Sequence, residues 1–436
     1  AAYLLLVPLA AAGGFFPALS ALALARLCGR LGAAALLLAP FVWVACEWAR
    51  LGVIGQLWNA VGYSQAFEPA LIQSARFGGV YAVSFLVVSF NAALAYALLK
   101  RSARGALVSL AAAACVALAV YGSSLTKAPG TERAPSALVV AVQPNVIPDF
   151  NRGESEYEAL RLRHFGLSDA GLRALEGVGD VSGETPRVVV WPESPMNFSL
   201  ERDRKFREEV GRFVGSREVS LLFNSLEPAA GGGGYNAAVL VNEKGLLAAQ
   251  YDKIRLMPFG EYVPLPRWLP GVGMIGGVVG DFTPGERYTL IPLGANGESP
   301  RAGTFICLES AYPDITRRLT SEGADVLIEM TNDAYQGDTA VLRQHLSNAV
   351  FRAVETGRPL LRVTNTGVSA RIDARGLVSD ETGRFVEAVR AWPVARSDGG
   401  RTFYVEHGDA FAAACAFVSL SALALTLGRR RGALSL

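Results

Sequence analysis

Cys307 lies in Thr-Phe-Ile-Cys-Leu-Glu-Ser, at the end of a short apolar run, with Glu309 two residues on. It is the one cysteine outside an apolar stretch. Cys28, Cys46, Cys115 and Cys415 fall within or beside alanine- and leucine-rich segments, where a thiol serves as a small apolar side chain. A thiol at a strand end sits where a sheet presents a nucleophile to a cleft; a buried inert thiol is the alternative. Two further segments carry suitable partners. Val-Val-Val-Trp-Pro-Glu-Ser-Pro puts Glu193 just past a strand end, between Pro192 and Pro195, which stiffen the backbone there. Tyr-Asp-Lys-Ile-Arg-Leu-Met-Pro-Phe-Gly-Glu-Tyr carries Lys253 and Glu261. A carboxylate can take a thiol proton, and an ammonium can lower a thiol pKa and hold a tetrahedral oxyanion. Singly, Glu193 and Lys253 also read as surface charges at strand ends, and spacing alone does not decide.

Positioning these groups requires an α/β domain, and the middle of the chain has its marks. Ala137–Val142, Arg187–Trp191, Ser220–Asn224, Ala237–Val241, Thr304–Cys307, Asp325–Glu329 and Leu360–Thr364 read as strands. Helical patterns such as Gly153–Glu176 and Arg202–Val214 lie between them. Strands alternating with helices over about 260 residues give an α/β domain with a core of its own. The glycine run Gly231–Gly234 lacks the strand–loop–helix context of a nucleotide site.

The rest of the chain differs in kind. Of 436 residues, 51% are hydrophobic and 18% charged, and the mean hydropathy is +0.29, too apolar for an ordinary soluble enzyme. Apolar runs over Tyr3–Ala25, Leu31–Cys46, Tyr81–Leu99, Ala106–Gly122 and Ala410–Leu427 approach the ~20 residues that cross a bilayer core. They predict four transmembrane helices before the domain and one after it; buried core helices are the other reading. Arg26 with Arg30, Lys100 with Arg101 and Arg104, and Arg429–Arg431 then share one side, which the positive-inside rule makes cytoplasmic. The domain falls on the outer side. Glu47 reads as an interfacial acid paired with Arg50 in preference to a cavity-lining one. The net charge of +2 gives nucleic acid no support, and five scattered cysteines and three histidines make neither a disulfide framework nor a metal site. No cofactor is expected.

The order Glu193, Lys253, Cys307 at three strand ends resembles the nitrilase (carbon–nitrogen hydrolase) superfamily. The wording is closer to one branch, the apolipoprotein N-acyltransferases of bacterial inner membranes. Trp191-Pro192-Glu193-Ser194, Lys253 with Pro258-Phe259-Gly260-Glu261 and Val263-Pro264, and Ile306-Cys307-Leu308-Glu309 look like that family's three motifs. Val142-Gln143 with Asn145, Gly62-Tyr63-Ser64-Gln65, Thr331-Asn332-Asp333-Ala334-Tyr335, Gln344-His345, Arg352-Ala353, Gly357–Arg362 and Thr364-Asn365-Thr366-Gly367 match as well. Leu308 stands where the family usually has Tyr, Tyr335 where Trp is common, and Phe150 where a Trp is expected. The family has about eight helices in all, so this chain is expected to begin after the first three.

The resemblance implies an αββα sandwich domain at 135–397, a helical membrane region at 1–125 and a last transmembrane helix at 408–428. It implies that Cys307 is the nucleophile, carrying the acyl group as a thioester, with Glu193 the general base. Lys253 would be the oxyanion stabiliser, aided by the backbone N–H after the cysteine, and Glu261 a second acid beside it. Glu309 would support the cysteine turn, and Tyr335, Trp268 and Glu309 would line the substrate site. The implied reaction passes an acyl chain from a phospholipid to the α-amine of an apolipoprotein's N-terminal diacylglyceryl-cysteine. The implied setting is a monomer in the inner membrane with its catalytic domain on the periplasmic side. Pro264–Gly280, apolar and glycine-rich, is expected to form a mobile lid dipping into lipid, and His345 is read as a structural hydrogen-bonding residue. A membrane-tethered amidase or nitrilase passing the acyl group to water is the nearest rival. A catalytically dead envelope scaffold and a transporter are the others.

Overall fold

The computed structural model describes residues 2–55, 57–100, 134–149, 151–176, 185–193, 196–264 and 280–428, with scattered helical positions between 105 and 122. The chain divides into two units, Ala1–Lys127 with Thr402–Leu436, and Ala128–Arg401.

The first unit is helical. Helix α1 (Ala2–Leu31) ends where Gly32 takes a φ of +62°, a conformation that costs any side chain-bearing residue energy. A 3-10 segment (Gly32–Leu38) follows, and α2 (Ala39–Ile54) then starts with Pro40 in its first turn. The second expected span is therefore a tight turn plus a helix that runs eight residues beyond Cys46, because glycine and proline place the break inside the apolar run. Helix α3 (Ala75–Lys100) is kinked at Gly78 and Gly79; a side chain on Gly78 would stand 2.8 Å from the ring of Phe411. By length and composition, 13–54 and 75–100 are apolar enough to cross a membrane, and Ala410–Thr426 is a shorter apolar helix. The fourth expected span, 106–122, lies mostly outside the described residues, as does the basic cluster 429–431. Glu47 departs from expectation. It is 5% exposed and accepts hydrogen bonds from Trp43 Nε1 (2.9 Å) and the Val61 backbone (2.8 Å). It is a buried acid that ties α2 to the following turn, since those donors lie inside the unit.

The second unit is a two-sheet sandwich. One sheet has the order β12-β1-β2-β3-β4-β5, from β1 (Ala137–Gln143), β2 (Arg187–Val190), β3 (Ser220–Pro228), β4 (Gly234–Val241), β5 (Leu247–Asp252) and β12 (Ala388–Val394). The other has the order β11-β10-β9-β8-β7-β6, from β6 (Leu290–Pro292), β7 (Arg301–Ile306), β8 (Val326–Thr331), β9 (Leu360–Thr364), β10 (Ala370–Ile372) and β11 (Val378–Ser379). Period-two alternation explains how near-continuous apolar strands serve two layers. Val139, Ala141, Val188, Val190, Leu222 and Leu240 share a core with Ile306, Val326, Ile328, Met330 and Val363 of the facing sheet. The intervening Val140, Val189, Leu221, Phe223 and Val239 turn outward onto Phe206, Val210 and Phe213 of a helix. Helices α4 (Glu154–Glu176) and α5 (Arg204–Arg217) cover the first sheet, and α6 (Pro313–Ser321) and α7 (Ala340–Thr356) the second. This is the nitrilase-like α/β arrangement. Two further helices among the described residues, α8 (Phe403–His407) and α9 (Ala410–Gly428), belong to the first unit.

Candidate active site

Three strand ends converge. Glu193 follows β2, where Trp191 is buried in the aromatic layer and donates Nε1 to Ser168 Oγ (2.8 Å). That anchor fixes the chain two residues before the carboxylate. Lys253 follows β5 directly, its backbone N–H on the Asn236 carbonyl (2.9 Å) and its own carbonyl receiving Gly285 N–H (2.8 Å). Cys307 follows β7 on the opposite sheet and opens a 3-10 turn (Cys307–Ala311). Its φ is +53°, an uncommon and costly conformation for a side chain-bearing residue, of the kind found where a turn must aim a functional group.

Lys253 is 1% exposed. Its ammonium lies 2.9 Å from Glu261 Oε1 and 3.4 Å from Glu193 Oε1. Burial alone would favour its loss of a proton, but Glu193, Glu261 and the neighbouring Cys307 raise it well above the usual lysine range, so it stays charged. Glu261 also accepts the Met257 backbone N–H (2.6 Å). Asn236, on β4, donates Nδ2 to both acids, at 3.0 Å to Glu193 and 2.6 Å to Glu261, while its Oδ1 accepts from Asn224 (2.6 Å). The other Glu193 oxygen accepts Asn332 N–H (3.3 Å). Asn236 escaped the sequence reading; only its place one strand inside Lys253 could have pointed to it.

The half-buried Cys307 thiol is pushed well above its ordinary value by burial first, then by Glu193; Lys253 opposes this only in part. It is a neutral thiol at rest, and the carboxylate of Glu193 is near enough to act on it electrostatically.

Glu309 is wholly buried. It accepts the Tyr251 hydroxyl (2.8 and 2.9 Å), the backbone N–H of Ile254 (2.8 Å) and Arg255 (3.1 Å), and Ile306 N–H (2.8 Å). The expectation that it lines the substrate site is corrected, because its oxygens are spent inside the protein. It ties the loop after β5 to the turn that carries Cys307. Burial pushes its carboxyl up to about 7 against these donors. Tyr335 is 68% exposed; partial burial and the charge of Glu193 both raise its hydroxyl. Trp268 and the expected lid lie, apart from Pro264 and Gly280, outside the described residues, as does Phe150.

Sequence comparison agrees with the geometry. The family description "Carbon-nitrogen hydrolase" matches residues 189–402, and "Apolipoprotein N-acyltransferase N-terminal domain" matches 1–93. The apolipoprotein N-acyltransferase of Geobacter metallireducens is 32% identical over 90% of this chain and 74% of its own length. That of Brucella melitensis biotype 1 is 32% identical over 82% of this chain and 66% of its own. Among solved structures, a point mutant of Nesterenkonia AN1 amidase from the nitrilase superfamily aligns with 64% of this chain and 97% of its own, at 16% identity and a TM-score of 0.45.

Proposed function

The chain belongs to the apolipoprotein N-acyltransferase family, and from that premise we propose that it moves an acyl chain from a phospholipid to the α-amine of an N-terminal diacylglyceryl-cysteine, through a thioester on Cys307. The observation that carries the reading is the convergence of a neutral thiol, a carboxylate and a charged, buried ammonium at three strand ends.

Glu193 takes the thiol proton as Sγ attacks the ester carbonyl of the phospholipid. The tetrahedral oxyanion forms beside Lys253, whose charge is fixed in place before reaction. Collapse breaks the acyl C–O bond, the lysophospholipid oxygen receives the proton held by Glu193, and the thioester remains. The incoming amine must be neutral. It attacks the thioester, gives its proton to Glu193, and expels the sulfur, which recovers that proton as the amide forms. Glu261 and Asn236 hold Lys253 and Glu193 in register throughout. Tyr335, and Trp268 in the adjoining segment, are the proposed contacts to the lipid substrates.

Transfer in place of hydrolysis requires that the amine reach the thioester before water does. The apolar helices of the first unit suit a multi-pass membrane protein, and we place the catalytic domain on the outer face of the inner membrane on the charge asymmetry of its loops.

The test is mass spectrometry of a diacylglyceryl-cysteine peptide after incubation with phospholipid and the purified protein. One added acyl chain on the peptide amine, absent with Cys307→Ala, is the expected result. Free fatty acid without peptide acylation would replace this reading with the amidase-like one.

A further inference from the structure

Beneath Cys307, on the helix-facing side of the second sheet, lies a group of buried charges that the proposed chemistry does not use. Glu329 on β8 and Arg362 on β9 are register partners on parallel neighbouring strands and form an ion pair. Arg362 also reaches Asp333 Oδ2 (2.7 Å). His345, on α7, completes the set. Its Nδ1 lies 2.8 Å from Asp333 Oδ1, and its Nε2 lies 3.2 Å from both Glu329 Oε1 and the carbonyl oxygen of Cys307. Glu329, His345 and Arg362 are 0% exposed and Asp333 is 3% exposed.

Both ring nitrogens of His345 face oxygens that can only accept. A neutral imidazole carries one N–H and would leave the other nitrogen's lone pair against a lone pair, so the geometry requires both protons. With them the group sums to zero charge, two carboxylates against a guanidinium and an imidazolium. Burial and Arg362 push the ring's pKa down, but Asp333 and Glu329 carry it up to about 9. Without the second proton, one net negative charge would lie under a thiol that must become a thiolate. Asp333 already acts on Cys307 in the unfavourable direction. The same helix grips the far end of the turn, where Arg352 donates Nη1 to the Ser310 carbonyl (3.0 Å) and pairs with Glu355.

We propose that His345 is a positioning residue for the nucleophile: held as an imidazolium between Glu329 and Asp333, it fixes the carbonyl of Cys307 in its left-handed turn and cancels negative charge beneath the thiol. The groups facing it are Glu329 from β8, Asp333 from the connection after β8, Arg362 from β9 and Cys307 from the turn. The proposal rests on Cys307 being the nucleophile, but not on the identity of the acyl donor or acceptor.

The test is the pH profile of Cys307 alkylation by iodoacetamide in the whole chain, with the Cys307 peptide quantified by mass spectrometry. His345→Gln keeps a donor but loses the charge. Its profile should move to higher pH by about one unit or more, with about a tenfold lower rate on the rising limb. Asp333→Asn combined with His345→Gln restores neutrality and should bring the profile back toward the parent. A His345→Gln profile that superimposes on the parent, or a double variant that moves further away, overturns the proposal. Should these variants not fold, nitrogen-15 histidine NMR of the His407→Gln protein decides. At pH 8, His164, held down to about 4 by burial, is neutral, and one ring with both nitrogens protonated is expected. A spectrum with only neutral rings overturns the proposal. Absence of peptide acylation by the parent protein, with the alkylation shifts intact, would refute the acyl-transfer reading while leaving this one standing.

Discussion

Replacing Glu309 by glutamine changes one oxygen to an NH2 and little else. Oε1 accepts from Ile254 N–H, Arg255 N–H and Tyr251, whereas Oε2 accepts from Ile306 N–H and Tyr251. The less costly orientation puts the new NH2 at the Oε2 place and leaves Ile306 N–H facing a donor. A buried N–H without a partner costs about 1–3 kcal/mol. Against this stands an ionisation cost that glutamine escapes. Burial raises the Glu309 carboxyl from 4.5 to about 7, so the folded state favours the protonated form. The stability it contributes is therefore present at low pH and is lost as pH rises through that range; between pH 5.5 and 8 the parent protein should lose about 2 kcal/mol on this account. Glu309→Gln, which does not titrate, should be less stable than the parent by about 1–3 kcal/mol at pH 5.5, with the gap narrowing toward pH 8. Thermal melts at the two pH values read it, at about 2–4 °C per kcal/mol for a domain of this size. Cys307 alkylation should become less sharply pH-dependent in parallel, because the tether at Ile306 is gone. A gap that is constant or widens with pH, or a variant indistinguishable from the parent at pH 5.5, would refute the reasoning.

Three other changes test the site. Lys253→Met leaves the buried Glu261 and the partly buried Glu193 carboxylates without their cation and should cost about 3–5 kcal/mol of stability, with kcat down by about a hundredfold or more, read by denaturant melts and by peptide acylation. Asn236→Leu removes the donor shared by Glu193 and Glu261 and should slow turnover by about ten- to thirtyfold, the equivalent of one or two lost hydrogen bonds; steady-state kinetics at saturating donor would show it. Gly367→Ala would place a methyl 2.2 Å from Asp333 Oδ2. That carboxylate is already held by Arg362 and His345, so a loss of about 1–3 kcal/mol is expected, measurable by the same melts.

Some of this was written plainly in the chain and some was not. The runs at β1 to β4 and β7 to β9 were legible because short apolar stretches, several of them β-branched, fill them and turn residues bound them. Leu-Ala-Ala-Gln-Tyr-Asp at β5 has no such signature, and β12 carries Pro393, tolerated because the strand pairs on one side only, with β1. Glu193, Lys253 and Cys307 were legible as strand-end residues with matching chemistry. Asn236 was not, because an asparagine in mid-strand announces nothing until its neighbours are known. Glu329 and Arg362 alternate out of phase with the inter-sheet core, a pattern that in an open sheet means solvent. Here α7 covers that face, and only the packing reveals that their charges are buried. His345 was rightly expected to hold hydrogen bonds; that one of them goes to the Cys307 carbonyl depends on a turn geometry no local pattern encodes.

Glu193 and Lys253 ride on one leaf of the sandwich and Cys307 on the other, and the leaves are tied away from the thiol by Gln143 to Thr364, Ser369 and Thr382 and by Val146 to Asn365, and near it by Glu309 and Glu193. The reacting groups thus meet only while the leaves keep their alignment, and because apolar contacts are without direction, these polar ties are what resist sliding. Catalysis becomes a gauge of that alignment. Agents that let the leaves slip by a fraction of an ångström should silence the enzyme while each sheet, with its own hydrogen bonds intact, still stands.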